Sequence, residues 1–333
     1  MLTAGWKPYE LRFLFEARTS RERMWTKKTY FVNIRDDESG MAGVGECGLF
    51  AGLSDDDVPG YEDLLDYYCR HPHEALACGY SSIRTGFETA FLSLAAPDGC
   101  LFPGARAWVD GNEGIRINGL IWMGDKRTML KRVREKLDAG FSVLKLKIGG
   151  IGFEDECDII SSIRREFRPD DLTIRLDANG SFTPANALTR LGALGRHHIH
   201  SIEQPVMAGQ WEEMRRVCRD SEIPIALDEE LIGCRSAEES AALLDAICPH
   251  FVVLKPTLCG GFSGADVWIA AAEARGIGWW ATSALESNTG LNAIAQWVAA
   301  KHPVLPQGLG TGQLYANNVE PEMRLCGEYL YGK

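Results

Sequence analysis

The sequence predicts an α/β protein: a modified (β/α)7β barrel of the TIM type, with an α+β capping domain at its N-terminus that the C-terminal tail completes. Three observations predict it. From Ile115 onward, short apolar runs alternate with segments of helical hydrophobic period, seven times and then one run more. Charged residues recur near the ends of five of these runs at nearly constant steps. Before Ile115 the pattern is different: residues 1–50 alternate with period two, and residues 61–96 turn helical. The expected units are 1–114 for the cap, 115–312 for the barrel, and 313–333 for a segment packing back on the cap.

In the cap, Leu11, Phe13 and Phe15 alternate with Glu10, Arg12 and Glu16, and Tyr30, Val32 and Ile34 follow the same rule. Met41–Cys47 is a third strand after an Asp-Asp-Glu-Ser-Gly turn. Pro72 suits the first turn of a helix, and Ile83, Phe87, Ala90, Phe91 and Leu94 share one helical face. Two connectors, near Arg18–Arg23 and Leu49–Ser54, read as loops. The second is apolar enough, at Leu49-Phe50-Ala51-Gly52-Leu53, to close over a ligand.

In the barrel, the expected strands are Ile117–Trp122, Val143–Gly149, Thr173–Asn179, Ser201–Val206, Pro224–Glu230, Phe251–Pro256, Gly278–Ala284 and Val304–Leu309. Helices fill the gaps. The first is capped by Asp125, carries Met129, Leu130, Val133 and Leu137 at helical spacing, and ends at Gly140. Crossover helices force the strands to be parallel.

Composition narrows the function. The formal charge is −11 and the pI about 5.2, which argues against a nucleic-acid or anionic-membrane partner and for a small-molecule one. No apolar run is long enough to span a membrane, and Met1–Glu10 has no signal-peptide core. The ten cysteines form no C-x-x-C pair. They read as reduced residues of a cytoplasmic protein. His197, His198 and His200 precede a strand and are expected in a solvent-facing loop.

The stretch VLKLKIGG, Val143–Gly150, carries Lys145 and Lys147 two apart on an otherwise apolar strand, so both point the same way. Alone, such a pair fits an edge strand. Asp177, Glu203, Asp228 and Lys255 follow near the ends of the next four runs, at steps of 30, 26, 25 and 27 residues. Each step is one strand–helix unit, which places the five side chains at the C-terminal end of adjacent strands, where barrel enzymes keep their sites. Three close carboxylates need a cation, and an all-oxygen set favours Mg²⁺ or Mn²⁺ over Zn²⁺. A divalent ion flanked by two lysines suits proton abstraction next to a carboxylate.

The residues KLK at 145–147, DAN at 177–179, EQP at 203–205, DE at 228–229 and the Lys255 strand resemble the enolase superfamily, muconate-lactonizing subgroup. Enzymes of that superfamily use lysine or histidine bases beside Mg²⁺. The resemblance spans nearly the whole chain. It implies that Asp177, Glu203 and Asp228 bind Mg²⁺. Lys147 would take the α-proton and return it to a leaving hydroxyl in a syn elimination of water, while Lys255 stabilises the enolate from the opposite face. Lys145 would contact the substrate carboxylate, Arg175, pointing into the barrel, would form an ion pair below the metal or contact the substrate, and Ser283 is a further candidate for substrate binding. The expected substrate is a small carboxylate; no oligomeric state follows. The segment Ser287-Asn288-Thr289-Gly290 opens a helix, and its N–H groups, at Asn288 above all, are expected to hold a second carboxylate. Alternatives on the same scaffold are an N-acylamino-acid racemase, a dipeptide epimerase or a muconate-type cycloisomerase. A non-catalytic barrel and a metal-dependent hydrolase fit less well, since the triad and both lysines are complete and no strand ends in histidine.

Overall fold

The alternating N-terminal residues form an antiparallel meander in the computed structural model, which describes residues 1–18, 23–233, 236–321 and 323–332. Its strands are β1 (Leu2–Arg18), β2 (Arg23–Asp36) and β3 (Ala42–Cys47), in that spatial order. Pro8 lies in β1, an edge strand, where a missing donor is tolerated. Residues 19–22 of the first expected loop lie outside the described residues. The helical stretch is two helices, α1 (Tyr61–Arg70) and α2 (Ser81–Ala95), and not one helix entered at Pro72. Pro72 lies between them, just before a 3-10 turn, Glu74–Ala77. Helix α2 packs tightly on β3: a Cβ at Gly45 would stand 1.8 Å from the Gly86 carbonyl oxygen, so only glycine fits there.

The short helix α3 (Arg106–Val109) leads to β4 (Ile115–Arg116) and the barrel. The barrel runs β5 (Gly119–Ile121), α4 (Lys126–Asp138), β6 (Val143–Lys147), α5 (Phe153–Glu166), β7 (Thr173–Asp177), α6 (Ala187–Gly195), β8 (Ser201–Glu203), α7 (Trp211–Asp220), β9 (Ile225–Leu227), α8 (Ala237–Ile247), β10 (Phe251–Leu254), α9 (Gly261–Glu273), β11 (Gly278–Ala281) and α10 (Asn288–Ala299). Strands β5 to β11 form one parallel sheet in sequence order. As expected, Asp125 caps α4: its Oδ1 accepts from Thr128 N at 2.7 Å, a bond typically worth about 1 kcal/mol. Ile159, Ile160 and Ile163 of α5 and Leu243, Leu244 and Ile247 of α8 are buried in the main core.

The eighth barrel strand is reduced to a seam. Gln307 bridges Ile117 and Gly308 bridges Thr282, both parallel, which joins β11 to the start of β5 and closes the ring. Most strands stop earlier than the apolar pattern predicts. Asn179 and Gln204 adopt positive φ, and Glu229 starts a 3-10 turn, so the chain leaves the sheet right after its charged residue. The C-terminal tail divides in two. Residues 314–317 lie along β1, with Leu14 N donating to Leu314 O at 2.9 Å and Ala316 N to Arg12 O at 2.8 Å. Strands β12 (Arg324–Cys326) and β13 (Tyr329–Tyr331) instead form a hairpin whose β13 pairs with β4, in a sheet separate from the cap sheet. Trp108 fixes that hairpin by donating its indole N–H to Leu330 O. His200 departs from the solvent-facing loop expected for it: it stacks on Phe251 and lies beside Trp280, and burial, then Arg175, pull its pKa down to about 4.

Candidate active site

Alternation along the strands sets the geometry. Lys145 and Lys147 of β6 face inward, while Leu144 and Leu146 are buried toward the helices. In register, Lys147 stands opposite Asp177, and Asp177 opposite Glu203. Asp177, Glu203 and Asp228 are 1%, 1% and 2% exposed, so burial forces each carboxylate to find a partner. The lysines provide it. Lys145 Nζ donates to both Glu203 oxygens, at 2.8 and 2.6 Å, and lies 3.2 Å from Asp177 Oδ2. Lys147 Nζ donates to Asp177 Oδ2 at 3.0 Å and to Asn179 Oδ1 at 2.9 Å. From across the ring, Lys255 donates to Asp228 Oδ2. Asn179 passes the contact on, its Nδ2 reaching Glu229 Oε1 at 3.2 Å.

Charge is unevenly settled within this group. Burial works against the Asp177 carboxylate, but Lys145, Lys147 and Lys255 outweigh it and hold Asp177 well below the usual carboxylate range. Glu203 goes the other way. Burial, reinforced by the neighbouring charges of Asp177 and Asp228, pushes it up to about 8 despite Lys145. Burial also works against Lys255, yet Asp228, Glu203 and Glu229 raise its pKa above the ordinary lysine range. Gln204 ties the strand ends together: its Oε1 accepts from Asp228 N and Glu230 N, and its Nε2 donates to Glu230 Oε2.

A cavity of about 230 Å³ opens over these residues. Lys145, Lys147, Asp177 and Lys255 line one side, and Phe50 and Leu53 of the cap loop roof it, as the apolar loop composition predicts. Asn118, Leu120 and Trp122 from the start of the barrel and Thr282 by the seam, which the sequence did not single out, line the rest together with Thr311. Ser283 lines the cavity too, its hydroxyl 2.6 Å from that of Thr311. Of the candidates for substrate contact, Asn288 is displaced, and Arg175 takes the other place open to it, below the site. Arg175 does not line the cavity: it is buried beneath, with Nη1 on Pro306 O at 2.8 Å and its guanidinium 4.2 Å over the Trp280 ring. Asn288 also lies outside it, and the N–H groups of its helix are taken. Ser287 N and Gly290 N donate to the Glu46 carboxylate at 2.9 Å each, and Asn288 N donates to Asn318 Oδ1 at 2.8 Å. No second carboxylate is held there, because the cap supplies the anion.

Among the described residues, no three histidine, cysteine or acidic side chains stand at metal-binding spacing. The lysine ammoniums hold carboxylate oxygens that a metal would need. The donor set nevertheless fits a hard divalent cation. All three groups are buried carboxylates that present only oxygen donors, the ligand type such an ion prefers.

Comparison with known proteins agrees with this architecture. Residues 128–324 match the family model described as enolase C-terminal domain-like. Over 96% of its length the chain is 42% identical to the o-succinylbenzoate synthase of Desulfotalea psychrophila, covering 96% of that protein. A crystal structure of MenC from the same organism superposes with a TM-score of 0.87 and 39% identity, covering 99% of both chains. The L-Ala-D/L-Glu epimerase of Bacillus subtilis is more distant, at 24% identity over 86% of this chain and 81% of its own. The chain belongs to the enolase superfamily, in the family of the o-succinylbenzoate synthases.

Proposed function

We propose that the protein is an o-succinylbenzoate synthase, a hydro-lyase that removes water from 2-succinyl-6-hydroxy-2,4-cyclohexadiene-1-carboxylate in menaquinone biosynthesis. The likeness to a synthase over nearly the full length of both chains carries the reading. The cavity is consistent with it: cations stand on two sides of a buried carboxylate group, and an apolar loop roofs the space a ring would fill.

In this reading Lys147 is the proton-transfer residue. Its Nζ lines the cavity and is held by Asp177 and Asn179 over the edge of Trp122, 5.8 Å from the ring centre. It takes the proton from the carbon next to the ring carboxylate and gives it to the departing hydroxyl on the same face. Lys255, on the far side, places its charge where the enolate forms. Lys145 neutralises Glu203 and presents a further cation to the ring carboxylate. When bound at Asp177, Glu203 and Asp228, a divalent cation, Mg²⁺ or Mn²⁺, supplies Lewis-acid stabilisation of developing negative charge. Members of the enolase superfamily use Mg²⁺. A dipeptide epimerase needs a counter-charge for an ammonium group. The residues after the seam, Gly308-Leu309-Gly310-Thr311-Gly312, offer none.

The cysteines in the described residues are unpaired, which suits a reducing compartment, and we place the enzyme in the cytoplasm. No described helix is long and apolar enough to cross a membrane. The test is direct. With Mg²⁺ present, the hydroxycyclohexadiene substrate should become aromatic, followed by ultraviolet absorbance, while dipeptides in deuterated water exchange little α-hydrogen. Rapid exchange with no absorbance change would replace the synthase by an epimerase or racemase.

A further inference from the structure

Asn118, Leu120 and Trp122 alternate along the barrel's first strand and its approach, and all three line the cavity. Ile117, just before Asn118, and Ile121, between Leu120 and Trp122, belong to the main core. Asn118 therefore points inward. It is 3% exposed, and its Oδ1 is fully buried with no hydrogen-bond partner among the described residues. A buried amide without a partner is unfavourable. Since no protein contact fixes its orientation, either end of the amide can face the cavity.

The surroundings restrict what it can hold. Counting around the ring from β5, the seam at Gln307–Gly308 lies across from β8, and Asn118 N donates to Gln307 O beside it. The strand that follows Asn118 borders β6, with Leu120 opposite Lys145, and no cation lies on the seam side of it among the described residues of the cavity. The lysines of the cavity belong to β6 and to the turn after β10, and each is bound to a carboxylate. With every lysine of the cavity already held by a carboxylate, an anionic group beside Asn118 would be buried without a free counter-ion, which is strongly unfavourable. The partner has to be neutral.

Resting on the synthase reading, the choice among substrate groups follows by elimination. The substrate carries a ring carboxylate, a ring hydroxyl, a side-chain ketone and a distal carboxylate. The ring carboxylate and the hydroxyl react on the lysine side. The distal carboxylate needs a cation or water. We propose that Asn118 is a specificity-determining residue that donates its side-chain N–H to the ketone oxygen of the succinyl arm, selecting substrates with a neutral carbonyl at that position.

The test uses the product as probe, so that it does not depend on turnover. Binding of o-succinylbenzoate and of 2-(3-carboxypropyl)benzoate, which has CH₂ in place of the ketone, is measured by titration calorimetry with Mg²⁺ present. The wild-type protein should bind the ketone at least about fivefold more tightly. In Asn118→Leu, close in shape but unable to donate, the preference should vanish while both ligands still bind. Thermal melting checks folding, and Asn118→Ala replaces the leucine variant if that one is unfolded. An unchanged preference in a folded variant overturns the proposal and leaves the amide to water or to the fold. Wild-type protein that binds the ketone preferentially but shows no dehydration overturns the synthase reading alone. Failure to bind either ligand overturns both.

Discussion

On one side of the cavity, β6 to β10 present Lys145, Lys147, Asp177, Glu203, Asp228 and Lys255, nearly all of them bound to one another. On the other, β11, the seam and the approach to β5 present Thr282, Ser283, Thr311, Gly308 and Asn118. The first side holds opposite charges at low exposure, where electrostatic effects are strong and an unpaired group is expensive. The second is neutral and built from small residues. The difference separates two tasks that one ring of strands must perform. In the proposed reaction, charge is concentrated where a proton would move, and its absence elsewhere would leave shape and single hydrogen bonds to choose the substrate.

The largest expected effects come from breaking the charged side. Lys147→Ala and Lys255→Ala should each lower kcat by about 10²- to 10⁴-fold, the usual loss for a proton-transfer group or for a charge aimed at an enolate. Chelation of divalent ions should abolish turnover and Mg²⁺ should restore it, and Asp177→Asn should weaken that restoration. Near-native turnover by any of these proteins, in the ultraviolet assay, would deny the charged side its assigned role.

Next in size is the joint that holds the cap over both sides. Glu46 is 1% exposed and accepts from Thr29 Oγ1 and from Ser287 N, Ser287 Oγ and Gly290 N at the start of α10. Its carboxylate satisfies helix N–H groups and opposes the helix dipole. Glu46→Ala leaves these donors buried and should cost about 3 kcal/mol of stability. Chemical denaturation measures this. A loss below about 0.5 kcal/mol, the level of an ordinary surface change, would mean the cap is held otherwise.

How far each side was legible in the sequence follows the same division. A lysine or carboxylate inside an apolar run breaks the pattern of its own strand, so Lys145, Lys147, Asp177, Glu203, Asp228 and Lys255 could be picked out one at a time and then joined by their spacing. Asn118 and Thr311 look like ordinary strand-end and turn residues, and only the closed ring brings them together. Ser287-Asn288-Thr289-Gly290 misled for a related reason. Locally it is an anion site, as expected, but the anion is Glu46, 241 residues away from Ser287. Arg175 shares the parity of Asp177, which put it inside the barrel but did not tell the cavity from the floor below it. The strands ran shorter than the apolar pattern because Asn179 and Gln204 turn the chain out of the sheet at positive φ.

A milder change probes the neutral side. A Cβ at Gly308 would stand 2.7 Å from Thr282 Oγ1 and 2.8 Å from Thr282 Cβ, so Gly308→Ala must displace Thr282 and the hydroxyl bond it gives to Gly308 O. The expected result is a roughly tenfold lower kcat/KM, about 1.4 kcal/mol, entering through KM with kcat little changed. A fall in kcat of the size seen for the lysine variants would show that the two sides do not divide the work.

The smallest effect is expected below the ring, where stability and not catalysis depends on a charge. Glu328, in the turn between β12 and β13, accepts from Ser142 N at 2.9 Å and from Ser142 Oγ and Arg116 Nε, both at 2.5 Å. Burial alone would raise its pKa, but the Ser142 bonds and Arg116 outweigh burial and lower it from 4.5. A carboxyl group with a depressed folded-state pKa stabilises the fold above its unfolded value, and that contribution fades as pH falls through the folded value. Glu328→Gln should therefore cost about 1 kcal/mol near pH 7 and progressively less below about pH 4.5. Urea denaturation of both proteins at pH 7 and near pH 3 measures the difference, with kcat/KM unchanged at pH 7. A gap between the two proteins that widens toward acid would reverse the sign of the linkage and show that Glu328 is bound as the neutral acid.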